Sequence, residues 1–157
     1  MRILEASDDD AVEQVRGLFL EYWQAFGFSP CFQGFDQEVR ALPGAYAPPG
    51  GALALVEIDG EVAGCIALRR FDAARAEAKR LYVRPRFRGR GVGKGLLDWL
   101  VARARALGYV ELVGDTVPQM AVALAMYERY GFQRTESYSS TPTPGAIYLR
   151  LPLPPTS

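Results

Sequence analysis

The sequence predicts a mixed α/β fold of the α+β kind, in one domain spanning residues 1–157, with a central sheet flanked by helices. Three observations predict it. The chain of 157 residues is about one domain long and can bury a core of its own. Segments of strand period alternate with segments of helix period, the pattern of a mixed sheet covered by helices. Between them, Ala52 to Arg69 carries a strong hairpin signature.

Met1 to Glu5 alternates apolar and polar residues and reads as a short opening strand. Ser7, with Asp10 three residues on, resembles a capping box, and Val12, Val15, Leu18, Phe19, Tyr22 and Phe26 follow at helical spacing. Cys31 to Leu42 repeats a weaker helical pattern around Phe35 and Val39. Pro43-Gly44 and Pro48-Pro49-Gly50-Gly51 then break the chain. Ala52–Ile58 and Glu61–Arg69 form two apolar runs joined by Asp59-Gly60, a pair suited to a type I′ turn. Glu77 to Val83 is a further strand that stops before Pro85. Gly89 to Gly108 is a turn entering a long helix, with Leu96, Leu97, Leu100, Val101 and Ala104 on one face. Tyr109 to Val113 reads as a strand, Pro118 to Tyr130 as a helix stopped by Gly131, and Phe132 onward and Ala146 to Leu151 as closing strands. Pro142, Pro144 and Gly145 mark the loop between those two strands.

Composition removes several functions. Eighteen basic and 18 acidic residues cancel, so no global field points to nucleic acid or to an anionic membrane. No apolar run approaches the roughly 18–20 residues that span a bilayer, and the first residues lack a signal peptide's pattern, which together predict a soluble cytoplasmic protein. Cys31 and Cys65 are too few for a disulfide framework and match no metal spacing, so they read as buried thiols. The absence of histidine excludes Ser-His-Asp and Cys-His machinery and leaves no convincing zinc site, so no metal is expected.

The informative segment runs from Leu81 to Gly95: LYVRPRFRGRGVGKG. A strand delivers the chain into a glycine-dense turn that opens a helix, where unpaired N–H groups and the helix dipole favour an anion. Glycine lets a backbone approach phosphate oxygens closely. Lys79, Arg80, Arg84, Arg86, Arg88, Arg90 and Lys94 crowd the stretch from Ala78 to Leu97, which holds no acid, and a multiply charged phosphate ligand would balance them. The Gly-Lys-Ser/Thr of a Walker A loop is missing, and the turn sits too far along the chain for a dinucleotide fingerprint.

Arg88-Gly89-Arg90-Gly91-Val92-Gly93, preceded by a strand and Pro85, fits an Arg/Gln-x-x-Gly-x-Gly/Ala motif. Ala125 to Phe132 places a tyrosine on a helix ending in Gly-Phe. On these two ordered motifs the chain resembles the GNAT N-acetyltransferase superfamily, well over about residues 53–135 and elsewhere in general layout. The resemblance implies a mostly antiparallel mixed sheet. It also implies that the turn amides, here Arg88, Gly89, Arg90, Gly91, Val92, Gly93 and Lys94, bind the pyrophosphate of coenzyme A. The edge of the preceding strand, here Leu81, Tyr82 and Val83, would pair with the pantetheine arm like an added strand and polarise the thioester carbonyl. Transfer in such enzymes is usually direct, so positioning supplies much of the acceleration.

An attacking amine must lose protons and the departing thiolate must gain one. Tyr127 matches the residue that serves relatives as acid to the thiolate, against the alternative of an aromatic packed with Leu124 and Phe132. Glu77 shares a strand face with Lys79 and lies eleven residues before Arg88, where some relatives place a general base; partial desolvation would raise its pKa, unless it pairs with Lys79 or an arginine for structure alone. Many relatives have a pantetheine-contacting asparagine seven residues before the tyrosine; Met120 stands there, with Gln119 beside it as a substitute.

Tyr22, Trp23, Phe26, Phe28 and Phe32 gather where the family walls its acceptor site, and most read as core. Residues 138–145 are polar and rigidified enough to close over an acceptor, and Arg69, Arg70 and Arg80 are placed to attract a carboxylate. The expected activity is therefore N-acetyl transfer from acetyl-CoA to a small amine, amino acid or peptide N-terminus, without nucleic-acid or membrane partners. The resemblance adds a homodimer. A module that senses acyl-CoA without catalysis, and a transferase using succinyl- or propionyl-CoA, stay open as alternatives.

Overall fold

A hairpin is fixed by its turn, and here the turn needs two residues with positive φ. Asp59 (φ 51°) and Gly60 (φ 80°) supply them between β2 (Ala52–Ile58) and β3 (Glu61–Arg70). The computed structural model describes residues 1–27, 34–140 and 143–154. Around this hairpin it adds β1 (Arg2–Glu5), β4 (Arg75–Val83), β5 (Glu111–Thr116), β6 (Gln133–Thr135) and β7 (Ile147–Pro152) to one seven-stranded sheet in the order β1-β2-β3-β4-β5-β7-β6. All neighbours are antiparallel except β4 and β5, which run parallel. The sheet is thus mixed and mostly antiparallel, as expected.

Helices cover both faces. In α1 (Asp9–Ala25), Val15, Leu18, Phe19, Tyr22 and Trp23 are buried, and the Tyr22 ring meets that of Tyr82 on β4 at 5.4 Å. The cap of this helix is Asp8, whose carboxylate accepts from Ala11 N–H at 2.8 Å, one residue later than the Ser7 start that the sequence suggests. A six-residue helix, α2 (Phe35–Arg40), buries Phe35 and Val39; the Cys31 end of the predicted segment lies outside the described residues. The other sheet face receives α3 (Val92–Ala106), whose Leu96, Leu97, Leu100 and Ala104 are fully buried and whose Arg103 bonds Glu5 on β1 at 2.7 Å. Tyr109 closes that helix by donating its N–H to Ala104 O, and its hydroxyl donates to Gly50 O, so β5 begins at Glu111 rather than Tyr109. Pro118–Met120 forms a 3-10 turn before α4 (Ala121–Tyr130), and Gly131 (φ 122°) ends it. Cys65 is a fully buried thiol; Cys31 lies outside the described residues.

Two irregularities shape the middle of the sheet. β4 and β5 pair only at Arg75–Glu111, Ala76–Leu112 and Glu77–Val113, then part, although the strands continue to Val83 and Thr116. On its other side, β4 carries a bulge: Cys65 pairs Tyr82 and Ala67 pairs Lys79, so Arg80 and Leu81 together oppose Ile66. Arg80 sits there in the left-handed region (φ 59°), a conformation costing about 1–2 kcal/mol for a residue with a Cβ. Its side chain offsets that cost. Glu38 on α2 receives two hydrogen bonds from it, at 2.8 and 2.9 Å, and the guanidinium lies over the Trp23 and Phe35 rings at 4.9 and 5.3 Å.

Removing one partner of such a part-buried pair strands the other charge. Glu38→Ala is expected to cost about 3–5 kcal/mol in urea unfolding, and Glu38→Leu with Arg80→Met distinctly less than either single change. Burial pushes the Glu38 carboxyl up, but the Arg80 hydrogen bonds and charge outweigh it and hold the pKa below the ordinary carboxylate value. A lowered folded pKa gives stability that is complete above the unfolded value, about 4.3, and drains away as pH falls through the folded one. Unfolding free energy should therefore drop on acidification through that window, and Glu38→Gln should flatten the drop.

Candidate functional site

The turn between β4 and α3 is built to leave amides free. Gly89 (φ 79°) and Gly91 (φ 76°) take left-handed conformations that L side chains resist. Gly91 caps α3 without a side-chain bond, and the helix's backbone ladder begins only with Gly95 N–H to Gly91 O at 3.0 Å. Amides 89–94 therefore point at no protein acceptor among the described residues, as helix N-termini do when they hold anions. They face an open groove of about 960 Å³ between the turn and α4, lined also by Val83, Ala121, Ala125 and Met126. Gly93 lets the two helices meet: a Cβ there would lie 2.2 Å from Met126 Sδ.

The basic crowd is less free than its sequence suggests. Lys79 pairs with Asp115, Arg80 with Glu38, Arg84 with Glu21, Arg86 with Glu61 and Lys94 with Asp98. Among the described residues Arg88 and Arg90 alone of the seven have no acidic partner. Arg88 donates to Val83 O at 3.0 Å, and Arg90 leans over the Phe87 ring at 5.7 Å. The turn thus leaves its backbone amides and two of the seven cations, Arg88 and Arg90, without an acidic partner among the described residues.

Where β4 and β5 part, a second, narrow space opens. It is bounded by Lys79, Leu81, Asp115, Thr116, Met120 and Tyr127 among others, and its roughly 20 Å³ is about enough for one water. Leu81, Tyr82 and Val83 run from this space to the groove; their β5 side is unpaired, while their β3 side pairs as far as Gly64–Val83. Tyr127 both packs in the core and lines this cavity. Its ring packs edge-on against Phe132 at 5.0 Å, while its hydroxyl bonds no described residue and borders the cavity. Burial pushes that hydroxyl's pKa well above the ordinary phenol value, with the negative ends of Tyr22, Asp115 and Glu77 adding to it.

Glu77 is buried at 3% exposure, with both oxygens occupied: Oε1 accepts from Arg69 Nε at 2.6 Å and Oε2 from the Tyr138 hydroxyl at 2.7 Å. The pairing with an arginine is the structural alternative that the sequence leaves open, and Tyr138 adds a partner that the sequence did not suggest. Met120 is buried and accepts a hydrogen bond from Tyr22 OH at 2.9 Å, while Gln119 is exposed. Arg69 and Arg80, read from sequence as carboxylate attractors, are already neutralised by Glu77 and Glu38. Phe28 and Phe32 lie outside the described residues, as do Thr141 and Pro142 of the expected covering segment. Asp115 was missed altogether; its alternation with Val113 on a strand following the helix was the available signal.

The chain is similar to known proteins in sequence and in fold. A family model described as Acetyltransferase (GNAT) family matches residues 12–132. An uncharacterised N-acetyltransferase of Schizosaccharomyces pombe is 34% identical over 142 residues, covering 89% of this chain and 87% of its own. Among solved structures, a GNAT family acetyltransferase from Staphylococcus aureus superposes with a TM-score of 0.81 at 18% identity, over 98% of this chain and 99% of that one. Another from Elizabethkingia anophelis, solved with acetyl-CoA bound, gives 0.68 at 23% identity over 97% of each chain.

Gly91 and Gly93 separate anion binding from packing. A Cβ on Gly91 meets nothing within 4 Å, so Gly91→Trp should fold, at about 1–2 kcal/mol of backbone strain, yet fill the groove. It is expected to raise the Kd of a nucleoside diphosphate probe about tenfold or more in isothermal titration, roughly 1.4 kcal/mol. Gly93→Val should instead lose about 1–3 kcal/mol of stability by overpacking against Met126, read from urea unfolding.

Proposed function

The chain belongs to the GNAT family of acetyltransferases, and from that premise we propose that it transfers an acetyl group from acetyl-CoA directly to a primary amine. The acceptor classes are a small molecule, an amino acid or a peptide N-terminus. One observation carries the reading: free amides at residues 89–94 and an unpaired strand edge at 81–83 lie end to end, with the Tyr127 hydroxyl beyond them.

The residues fit a coenzyme A thioester. Amides 89–94, with Arg88 and Arg90, would hold the pyrophosphate, since these amides meet no protein acceptor and these two cations no acidic partner among the described residues. The edge from Leu81 to Val83 offers the backbone groups that β5 does not take, apart from Val83 O, which Arg88 already holds, and these suit the amides of the pantetheine arm. When bound, the thioester supplies an activated acetyl group.

Tyr127 serves as the acid. Burial keeps its hydroxyl protonated, so it would donate to the coenzyme sulfur as the carbon–sulfur bond breaks and would be recharged by the proton that the attacking amine gives up. Met120 takes the place of the usual amide side chain, and its sulfur is held by Tyr22, so that wall of the cleft is apolar and packed instead of hydrogen-bonded to the pantetheine. To Glu77 we assign the fixing of Arg69 and Tyr138, which ties the β6–β7 connection to β4.

Thiol release from acetyl-CoA in the presence of an amine panel tests the function: release dependent on amine supports it, and absence of both release and coenzyme binding removes it. Tyr127→Phe should lower kcat by about 10²-fold while leaving the coenzyme Kd within a factor of about two. Unchanged kcat would take Tyr127 out of the chemistry.

A further inference from the structure

Three ion pairs cluster where β4 meets its neighbours, and one differs from the others. Arg69–Glu77 at 2.6 Å and Arg80–Glu38 at 2.8 Å are of ordinary charge-assisted length. Lys79 Nζ and Asp115 Oδ1 are 3.5 Å apart, too far for a strong bond. The pair is also placed differently. It bridges β4 and β5 just beyond their last backbone pair, Glu77–Val113, and both members border the cavity shared with Tyr127. Their side chains are only 9% and 15% exposed, and neither makes another hydrogen bond among the described residues.

We propose that Lys79 and Asp115 form the acceptor-recognition site, and that the acceptor is a compact zwitterion, an α-amino acid or a molecule with the same two charges. The inference rests on the acetyl-transfer reading and narrows it. Charge compensation is the reason. A plain amine bound at Asp115 would leave Lys79 without a counter-charge in a largely desolvated position, and a plain anion bound at Lys79 would do the same to Asp115. A molecule with an ammonium and a carboxylate close together replaces both partners at once: its ammonium goes to Asp115 and its carboxylate to Lys79. The two tighter pairs need no such exchange, because Arg69 and Arg80 are already held by Glu77 and Glu38. The long Lys79–Asp115 contact is then the resting state, closed on itself until an acceptor parts it. The exchange also sets the amine beside Tyr127 and the free strand edge, where the thioester is proposed to lie.

The test compares amino acids with their amides and with the corresponding decarboxylated amines in a thiol-release assay on the full chain. Wild type should favour the zwitterions in kcat/KM by about 10²-fold or more, as expected when a polar group in a site loses its partner. Lys79→Met should shrink that preference to within about tenfold, through KM, with the coenzyme Kd unchanged. Lys79→Met with Asp115→Leu guards against a folding failure from a stranded charge, and should abolish the preference as well. The wild-type comparison needs no variant. Equal use of amides and zwitterions, thiol release with other amines but no amino acid, coenzyme binding without turnover of any amino acid, or an equal loss for all acceptors in Lys79→Met would each overturn the proposal while leaving coenzyme binding intact. Failure to bind acetyl-CoA at all would overturn it together with the reading beneath it.

Discussion

Two parallel strands that stop hydrogen-bonding partway leave backbone groups that the protein itself does not satisfy. β4 and β5 do this after three residue pairs, and Gly114 marks the place, because a Cβ on it would press on Ala78 O at 3.3 Å. A sheet interior normally leaves very few such groups unpaired. Here the opening is held apart by what flanks it: the bulge at Arg80 on one strand, and the 3-10 turn with Met120 and Tyr127 after the other. The cavity and the Lys79–Asp115 pair both lie at that departure from regular pairing.

The cost of keeping the opening is seen in its charges. A left-handed arginine on a central strand is a rare local choice, and it persists because Glu38, Trp23 and Phe35 over-determine it. The packing of α2 against α1 is thereby tied to the backbone path of β4. The same logic joins Glu77 to Tyr138, whose ring lies edge-on to Phe71 and Tyr148 at 5.1 and 5.2 Å. Residues far apart in sequence thus fix the walls of the cleft from both sides.

Short-range signals were the legible part. Asp59-Gly60 announced its hairpin, the glycines from 89 to 93 their turn, and Leu96, Leu97 and Leu100 their buried face. Each depends only on conformational preferences of neighbouring residues. What stayed hidden depends on distant partners. The acids that neutralise five of the seven cations sit at 21, 38, 61, 98 and 115, outside the stretch in which the cations were counted. Tyr138 reaches Glu77 across 61 residues, and the parting of β4 from β5 is a matter of register that no local pattern encodes.

We propose that free backbone groups along residues 81–83 and 89–94 are reserved for a coenzyme A thioester. Amide hydrogen exchange, measured residue by residue with and without saturating acetyl-CoA, tests it most directly. Slowed exchange is expected at the free amides of the turn, residues 89–94, and along the β4 edge, with little change in β1 or β2. Exchange at those amides that is indifferent to acetyl-CoA, or protection confined to some other surface, would contradict it.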